Sequence, residues 1–258
     1  QTTSALSGTR YILAKTNLET STLSSNISKN QELNNIDLDS KLGLDVFSSA
    51  YRAIGNDYYQ VKYNNVATQT IIEPFGIFKF NHSSIESLDY EIGFRYHYYE
   101  LDTDNYTTKT SLSSDDRQNY AWSLGANYNL QNGQKLFTHV SRAYRSPRLD
   151  EIISLIKPSP SHTHIKHQYS NDIELGYEVN VERKRYKASI FRTLIKNQIY
   201  LNQTTLKNEN FDPSIHQGLE IEFDQSINDK LNLKSNATFI DSYFTKGIEK
   251  GNETSYVP

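Results

Sequence analysis

Cysteine and methionine are both absent from the 258 residues, and tryptophan occurs once. Without cysteine there are no disulfides, thiolate metal sites or cysteine nucleophiles. Without methionine, and with Gln1 at the start, the chain reads as a mature form or an excised piece. Long apolar runs are missing as well. Nothing approaches the roughly 20 residues of a membrane helix, and no signal-type apolar region opens the chain. Only helical spans are excluded by this, because a membrane β-strand needs just about 9–11 alternating residues. Charge of one sign is also lacking: 27 basic and 30 acidic side chains leave −3, so no global basic field recruits nucleic acid. There is no Gly-X-Ser-X-Gly elbow, phosphate loop, dinucleotide fingerprint or His-Glu-X-X-His, and the carboxylates are too scattered to single out a pair. The expectation is that this is not an enzyme.

What the chain has is tyrosine, 19 of them, and strict alternation. In LDYEIGFRYHY, residues 88–98, the even positions Leu88, Tyr90, Ile92, Phe94, Tyr96 and Tyr98 oppose Asp89, Glu91, Gly93, Arg95 and His97. Period 2 marks a strand with one apolar face. The pattern returns at 36–46, 120–130 and 173–182, and in weaker form at 57–66, 71–80, 134–144, 186–200, 218–224 and 231–243, with a further strand near 9–17. This predicts about eleven strands. Several run to ten residues or more, beyond the ordinary 5–6. Short polar turns at 131–134, 182–185 and 226–230 alternate with long connections at 101–118, 145–169 and 201–216. Asn132-Gly133 suits a tight hairpin. Short turns at one rim and long loops at the other predict an antiparallel up-and-down barrel, in a single unit with no second domain.

Alternation alone does not say which row faces the core. A soluble sandwich or barrel buries the apolar row; a membrane barrel turns it to lipid and keeps the charges in a wet lumen. Strand length favours the membrane. So do aromatics near strand ends (Tyr58, Tyr59, Tyr98, Tyr99, Tyr120, Trp122, Tyr144, Tyr169, Tyr200 and Tyr243), since amphipathic rings prefer headgroup depth. The polar row mixes both charge signs with Gly and Asn, as a lumen does.

SRAYRSPRLDE, residues 141–151, resembles a stretch of the TonB-dependent outer-membrane receptors, Ser-Arg-X-Phe-Arg-X-Pro-X-X-Asp/Glu-Glu, with Tyr144 in place of Phe. YSNDIELGYE (169–178), YKASIFRTLIKNQIYL (186–201), HQGLEIEF (216–223), LNLKSNATFIDSYF (231–244) and, upstream, IGFRYHYY (92–99) resemble further strands of that family in the same order. The resemblance implies a transmembrane β-barrel, about half of a 22-stranded one, with the family's plug not recognisable in these residues. It further implies an outer-membrane location in a Gram-negative bacterium. The implied function is energy-coupled uptake of a scarce nutrient, most readily an iron chelate (haem or ferric siderophore), which is transported rather than held as a tight cofactor. The implied partners are outer-membrane lipid and a TonB-type energy-transducing inner-membrane complex that acts through the plug. Two alternatives stay open: a passive porin-like or lipid-handling barrel, and a soluble β-sandwich carbohydrate-binding module.

Candidate ligand residues lie in the connection 145–169. SHTHIKH places His162, His164 and His167 there, and in an extended chain His162 and His164 share a side, which suits metal ligation or an axial bond to haem iron. Some haem receptors of the family carry an essential histidine in this interval, but the Asn-Pro-Asn-Leu motif that often accompanies it is not present. Arg145 and Arg148 could pair with an anionic chelate. The alternative for the histidines is a solvated loop. For the arginine stretch it is a rim, with Tyr144 at the interface and Pro147 ending strand pairing. Arg95 and His97 read as lumen lining, as do Asp37, Asp39 and Asp45, where calcium is a remote option.

Overall fold

The structure is a computed structural model. It describes residues 2–7, 10–33, 36–56, 62–82, 88–105, 110–113, 118–130, 132–152, 165–205 and 207–254. Within these, strands follow one another as β1 (Thr2–Ser7), β2 (Arg10–Leu33), β3 (Ile36–Asn56), β4 (Lys62–His82), β5 (Leu88–Asn105), β6 (Thr110–Ser113), β7 (Gln118–Asn129) and β8 (Gln134–Arg145). One helical turn, α1 (Leu149–Ile152), precedes β9 (Gln168–Val181), β10 (Lys184–Lys196), β11 (Ile199–Asn202), β12 (Lys207–Asn210), β13 (Ser214–Asn228) and β14 (Leu231–Phe244). Twelve strands form one antiparallel sheet in the order β1-β2-β3-β4-β5-β7-β8-β9-β10-β13-β14, with β6 extending β5. β11 and β12 form a separate hairpin. Each main strand pairs with the next in the chain, the up-and-down pattern, and the sheet is unclosed, with β1 and β14 as its edges.

The apolar rows point away from the enclosed side. Phe94 and Leu175 are each 52% exposed, and Leu42, Ile173, Ile190 and Phe239 lie on the same open face. The polar row faces the concave side: Tyr144 on β8 reaches Glu73 on β4, with β5 and β7 between them in the sheet. Side chains three strands apart can meet only where the sheet curls toward itself. This is a membrane barrel wall with lipid outside and a polar lumen. The soluble sandwich alternative, which would bury the apolar rows, does not fit it.

On the inner face, glycines are plated by aromatic rings from the neighbouring strand. Phe75 lies over Gly43, Phe137 over Gly176 and Phe191 over Gly218; a Cβ on any of these glycines would come within 2.3, 2.2 and 3.0 Å of the ring. The rings lie flat on bare backbone, which keeps the inner surface smooth and covers the weak points of the strands. Further round, an ion ladder runs across β8, β9, β10 and β13. Lys135 and Arg185 both hold Glu178 (3.2 and 2.9 Å), and Lys187 lies between Glu174 and Glu222 (3.7 and 3.6 Å).

The turn predictions hold. Asn132 and Gly133 take φ of 59° and 69°, the left-handed pair that a two-residue hairpin needs. Glu182 does the same at 52°. Strand extents differ from the sequence reading. The described part of the segment read near 57–66, from Lys62 on, and the segment 71–80 are one strand, β4, while 57–61 lie outside the described residues; the stretch from Arg10 to Asn17 belongs to the 24-residue β2. The connection 201–216 carries part of the hairpin β11–β12. β3 and β4, with 21 residues each, span roughly 70 Å at 3.3 Å per residue, against an apolar band of about 25 Å. β7 and β8 have only 12 residues each. The outer rim is therefore a tall palisade at β2–β5 and a low wall at β7–β10.

Candidate functional site

Where the low wall meets the palisade, the connection after β8 turns inward. The register places Asp45 opposite Glu73, and on the β5 side the ladder is interrupted between the pairs Ile72–Tyr98 and Phe75–Arg95. Pro74 sits in that gap; having no N–H, it cannot complete a ladder bond there. Beside the gap Glu73 gathers three donors. Arg95 Nη1 binds it at 2.7 Å and Asp45 at 2.7 Å, while His97 Nδ1 and the Tyr144 hydroxyl each approach at 2.7 Å. One guanidinium between two carboxylates leaves these three groups with a net charge of −1, and Arg95 also lies 4.6 Å above the Phe75 ring.

The donor count fixes the direction of the rest. The Glu73 carboxylate can only accept, so His97 Nδ1 carries the proton. In the neutral ring Nε2 then accepts from the Ser146 hydroxyl at 2.7 Å, and Ser146 Oγ accepts from His167 Nδ1 at 3.1 Å. His97 is 1% and His167 3% exposed. Their rings pack edge to face at 5.5 Å, with Tyr99 and Tyr144 against them. Pro147, just beyond the end of β8, is buried too. The chain Glu73–His97–Ser146–His167 thus ties both ends of the long connection to the palisade.

Two residues further on, α1 docks in an apolar socket. Ala53 and Ala67 leave a depression in the inner wall, edged by Tyr51, Tyr63, Tyr99 and Leu101, and Leu149 and Ile152 are buried in this cluster. Arg145 braces the turn through both Glu151 oxygens (3.0 and 2.9 Å), and the Arg148 backbone N–H donates to Glu151 Oε2 at 2.8 Å. Strand β12 holds the feet of segment 153–164. Asn208 donates to the Glu151 carbonyl at 2.8 Å; Asn210 accepts from the Lys166 N–H at 2.8 Å and donates to its carbonyl at 3.0 Å. Asn208 and Asn210 are two residues apart, roughly 7 Å along a strand, so both feet stand close together. In the same hairpin Thr205 and Asn202 donate to Glu209, and these bonds hold its carboxyl below the usual carboxylate range.

Of the residues predicted as ligand contacts, Arg145 is engaged with Glu151, and Arg148 is largely exposed beside Asp150 and Glu151. His167 is brought into the buried chain, while His162 and His164 lie outside the described residues. Among the described residues no group of three or more His, Cys, Asp or Glu is placed to hold a metal ion. Tyr144 and Tyr99 are not lipid-facing anchors. Tyr99 is 1% exposed on the inner face, and the pairing of β8 with β7 stops at Arg142–Trp122, so Tyr144 has no β7 neighbour and turns toward Glu73. Sequence reasoning missed Glu73, Ser146, Asn208 and Asn210. For Glu73 a signal existed: a lone acid beside a proline in an apolar run.

The whole described assembly anchors a loop and contains no nucleophile–base arrangement aimed at open space. Known proteins agree with its architecture. The unliganded ferric citrate transporter FecA superposes with a TM-score of 0.77 at 12% identity, over 98% of this chain and 40% of that one. The ferric yersiniabactin uptake receptor FyuA from Yersinia pestis gives 0.74 at 15%, over 100% and 40%, and the siderophore receptor PiuA from Acinetobacter baumannii 0.69 at 14%, over 92% and 40%. Identities this low show the fold alone, and the chain spans about two fifths of the length of these structures. No curated protein matches the sequence. The family model for the TonB dependent receptor-like β-barrel matches residues 2–258, and the chain belongs to that family.

Proposed function

We propose that this chain is barrel wall of an outer-membrane receptor that takes up an iron chelate from outside a Gram-negative cell. The cargo passes through the lumen in a step driven by an inner-membrane energy-transducing complex acting on a plug. The role is transport, not catalysis. The observation that carries this reading is the inward fold of the connection after β8. Its described start and end, residues 146–152 and 165–167, are fastened to the lumen side of the palisade and to β12. A passive pore gains nothing from so many fixed contacts at one loop's feet; a receptor that must present contact residues over its lumen does.

Family membership and structural likeness to iron-chelate receptors support a ferric cargo. Between the two chelate classes, the histidines favour haem. His167 bonds to Ser146, so His162 and His164 are the candidate iron ligands, with the exposed Arg148, just before α1, for an anionic group. The test uses the full-length receptor. Haemin should produce a Soret shift that disappears in the variant with His162 and His164 both changed to Ala and survives Arg148→Ala. No shift in the unaltered receptor, with saturable binding of a ferric siderophore instead, replaces haem by siderophore. Binding of neither overturns the iron reading.

A further inference from the structure

The ladder between β7 and β8 stops before either strand does. Its last pair is Trp122–Arg142, although β7 begins at Gln118 and β8 runs to Arg145. Both ends stay paired on their far sides. Residues 118–121 pair with Tyr98–Arg95 of β5, and residues 143–145 pair with Ser170–Gln168 of β9. Two strand edges therefore face each other across an open seam. Continuing the register would set Ala121 opposite Ala143, Tyr120 opposite Tyr144 and Asn119 opposite Arg145.

On the β7 edge the main-chain groups that Tyr144 would bind are taken by side chains. The Tyr120 N–H donates to Asn119 Oδ1 at 2.9 Å, and the Tyr120 carbonyl accepts from Arg142 Nε at 3.3 Å. Arg142 Nη2 also donates to Asn119 Oδ1 at 3.2 Å, and its Cζ lies 4.5 and 4.1 Å from the ring centroids of Tyr120 and Tyr169. Asn119 and Arg142 thus stand in for the backbone of Tyr144. They satisfy groups that an open seam would otherwise leave bare.

On the β8 edge the lost pairing goes with a change of side. By alternation Tyr144 belongs to the outward row with Arg142, yet its hydroxyl donates to Glu73 on the inner face. Ser146 then meets His97, and Leu149 and Ile152 fill the socket. The two arrangements exclude each other: with Tyr144 opposite Tyr120 its ring returns to the outward row, away from Glu73. Among the described residues, the contacts that would break all join the top of β8 and α1 to other parts of the wall. They are Tyr144–Glu73, Ser146–His97, the two Arg142 bonds and the socket. The contacts inside the unit formed by the tops of β8–β10 and the β11–β12 hairpin would survive. These include Ser146–His167, Asn197 to the His167 carbonyl and Asn210 to the Lys166 carbonyl. A unit that keeps its internal bonds while exchanging one external set for another has two discrete positions.

We propose that the β7–β8 seam is a conformational switch. In the latched state, the one in this structure, residues 143–152 dock on the inner wall. In the zipped state, residues 143–145 extend the β7–β8 ladder by three pairs, Tyr144 turns outward beside Tyr120, and residues 146–152 leave the lumen side of β3–β5. This goes beyond the transport reading and rests on no particular cargo.

The test is a disulfide placed across the seam, since this chain has no cysteine of its own. In the zipped state Ala121 and Ala143 are a non-hydrogen-bonded pair, with Cα atoms about 4.5 Å apart, inside the ~4.4–6.8 Å that a disulfide spans. Full-length receptor carrying A121C/A143C, with any cysteine elsewhere replaced by serine, is compared oxidised and reduced in lipid by hydrogen exchange at single amides. Oxidation should slow Tyr120 and Tyr144 about tenfold or more, as ladder bonds replace side-chain caps, and should speed 149–152 by a similar factor as the socket empties. Reduction should reverse both. Tyr144→Phe removes one latch bond to a charged acceptor and should raise the rate of disulfide formation about tenfold. Tyr177→Phe, which loses a hydroxyl bond to Gln134 elsewhere in the sheet, should leave that rate unchanged. A disulfide that does not form even with Tyr144→Phe overturns the switch. So does one that forms while 149–152 keep their protection, or one that speeds Tyr120 and Tyr144 as well. If the double cysteine variant does not fold, Tyr144→Phe alone decides. Exchange in 149–152 should then rise about tenfold with none at Tyr120; faster exchange at Tyr120 too would mean a frayed strand end and overturn the proposal.

Discussion

Replacing Gly176 by alanine tests the physical role of the ring-on-glycine plates. The added Cβ would lie 2.2, 2.6 and 2.8 Å from Cζ, Cε1 and Cε2 of Phe137. Ordinary carbon contact begins near 3.5 Å, so the ring has to retreat by roughly 1.3 Å. It cannot do so freely, because Lys187 and Lys135 stand 5.1 and 5.9 Å from its centroid and are themselves tied to Glu174, Glu222 and Glu178. Overpacking of this kind costs about 1–3 kcal/mol. Stiffening the unfolded chain returns about 0.4–1 kcal/mol. The net expectation is a loss of about 1–2 kcal/mol.

Gly125 supplies the contrast on the same face: a Cβ there meets only His139 Cδ2 at 3.9 Å and the Thr138 carbonyl at 4.0 Å, ordinary contacts. Gly125→Ala should therefore be neutral or slightly stabilising. The assay is urea unfolding of the full-length receptor in lipid, followed by the heat-dependent shift in gel mobility that separates folded from unfolded barrels. A G176A/F137L double variant locates the cause: with the ring gone the Gly176→Ala penalty should shrink by about 1 kcal/mol or more, a coupling expected of touching residues. Equal stability of the two glycine variants, or strict additivity in the double variant, would refute the steric account.

Glu73→Gln should loosen the loop more than the barrel. It removes the negative charge and one of the two acceptor oxygens, so a single amide oxygen can no longer serve Arg95 together with His97 and Tyr144, a loss of roughly 3 kcal/mol for a largely buried partner; protease cutting near 146–152 should rise, and unchanged cutting would contradict the anchor. Leu149→Ala and Ile152→Ala each empty part of the socket at about 2–5 kcal/mol. Amide exchange should accelerate in 146–152 while β3–β5 stay protected, and uniform acceleration would point instead to loss of the barrel. Glu209 gives a pH effect with a defined sign. Its carboxyl is held below the ordinary value by Thr205 and Asn202, so its contribution is complete above the unfolded pKa and is lost as pH falls through the folded one. The hairpin 199–210 should exchange faster in acid, and Glu209→Gln should flatten that dependence.

Period-2 alternation was legible because lipid on one side and water on the other force a binary choice at every residue. That contrast ends where the wall leaves the membrane. In the upper half of β3, FSSAYRAIGN, the outer row (Ser48, Ala50, Arg52, Ile54, Asn56) is mixed and the inner row carries the buried Tyr51 and Ala53, so pairing continues to Asn56 while the alternating signal fades near Val46. The sequence reading therefore shortened the palisade and divided its strands. β11 (IYLN) is only four residues long and its partner β12 (KNEN) is wholly polar, so alternation cannot mark them as a hairpin and pairing reveals them.

The candidate site was less legible than the fold for a related reason. Arg95 and His97 were visible as lumen residues, but their partners belong to other strands, and partnership depends on register rather than pattern. A shift of one residue in β4 would send Glu73 to the lipid face and leave Arg95 with one carboxylate. What holds the register is the set of inner-face fits: Phe75 lying over Gly43, Lys79 meeting Glu91, Asp45 opposite Glu73. The structural plates and the polar anchor are thus one device. The rings that cover the glycines set the alignment that lets Glu73 gather Arg95, His97 and Tyr144, and through His97 and Ser146 that alignment reaches the loop at the mouth of the barrel.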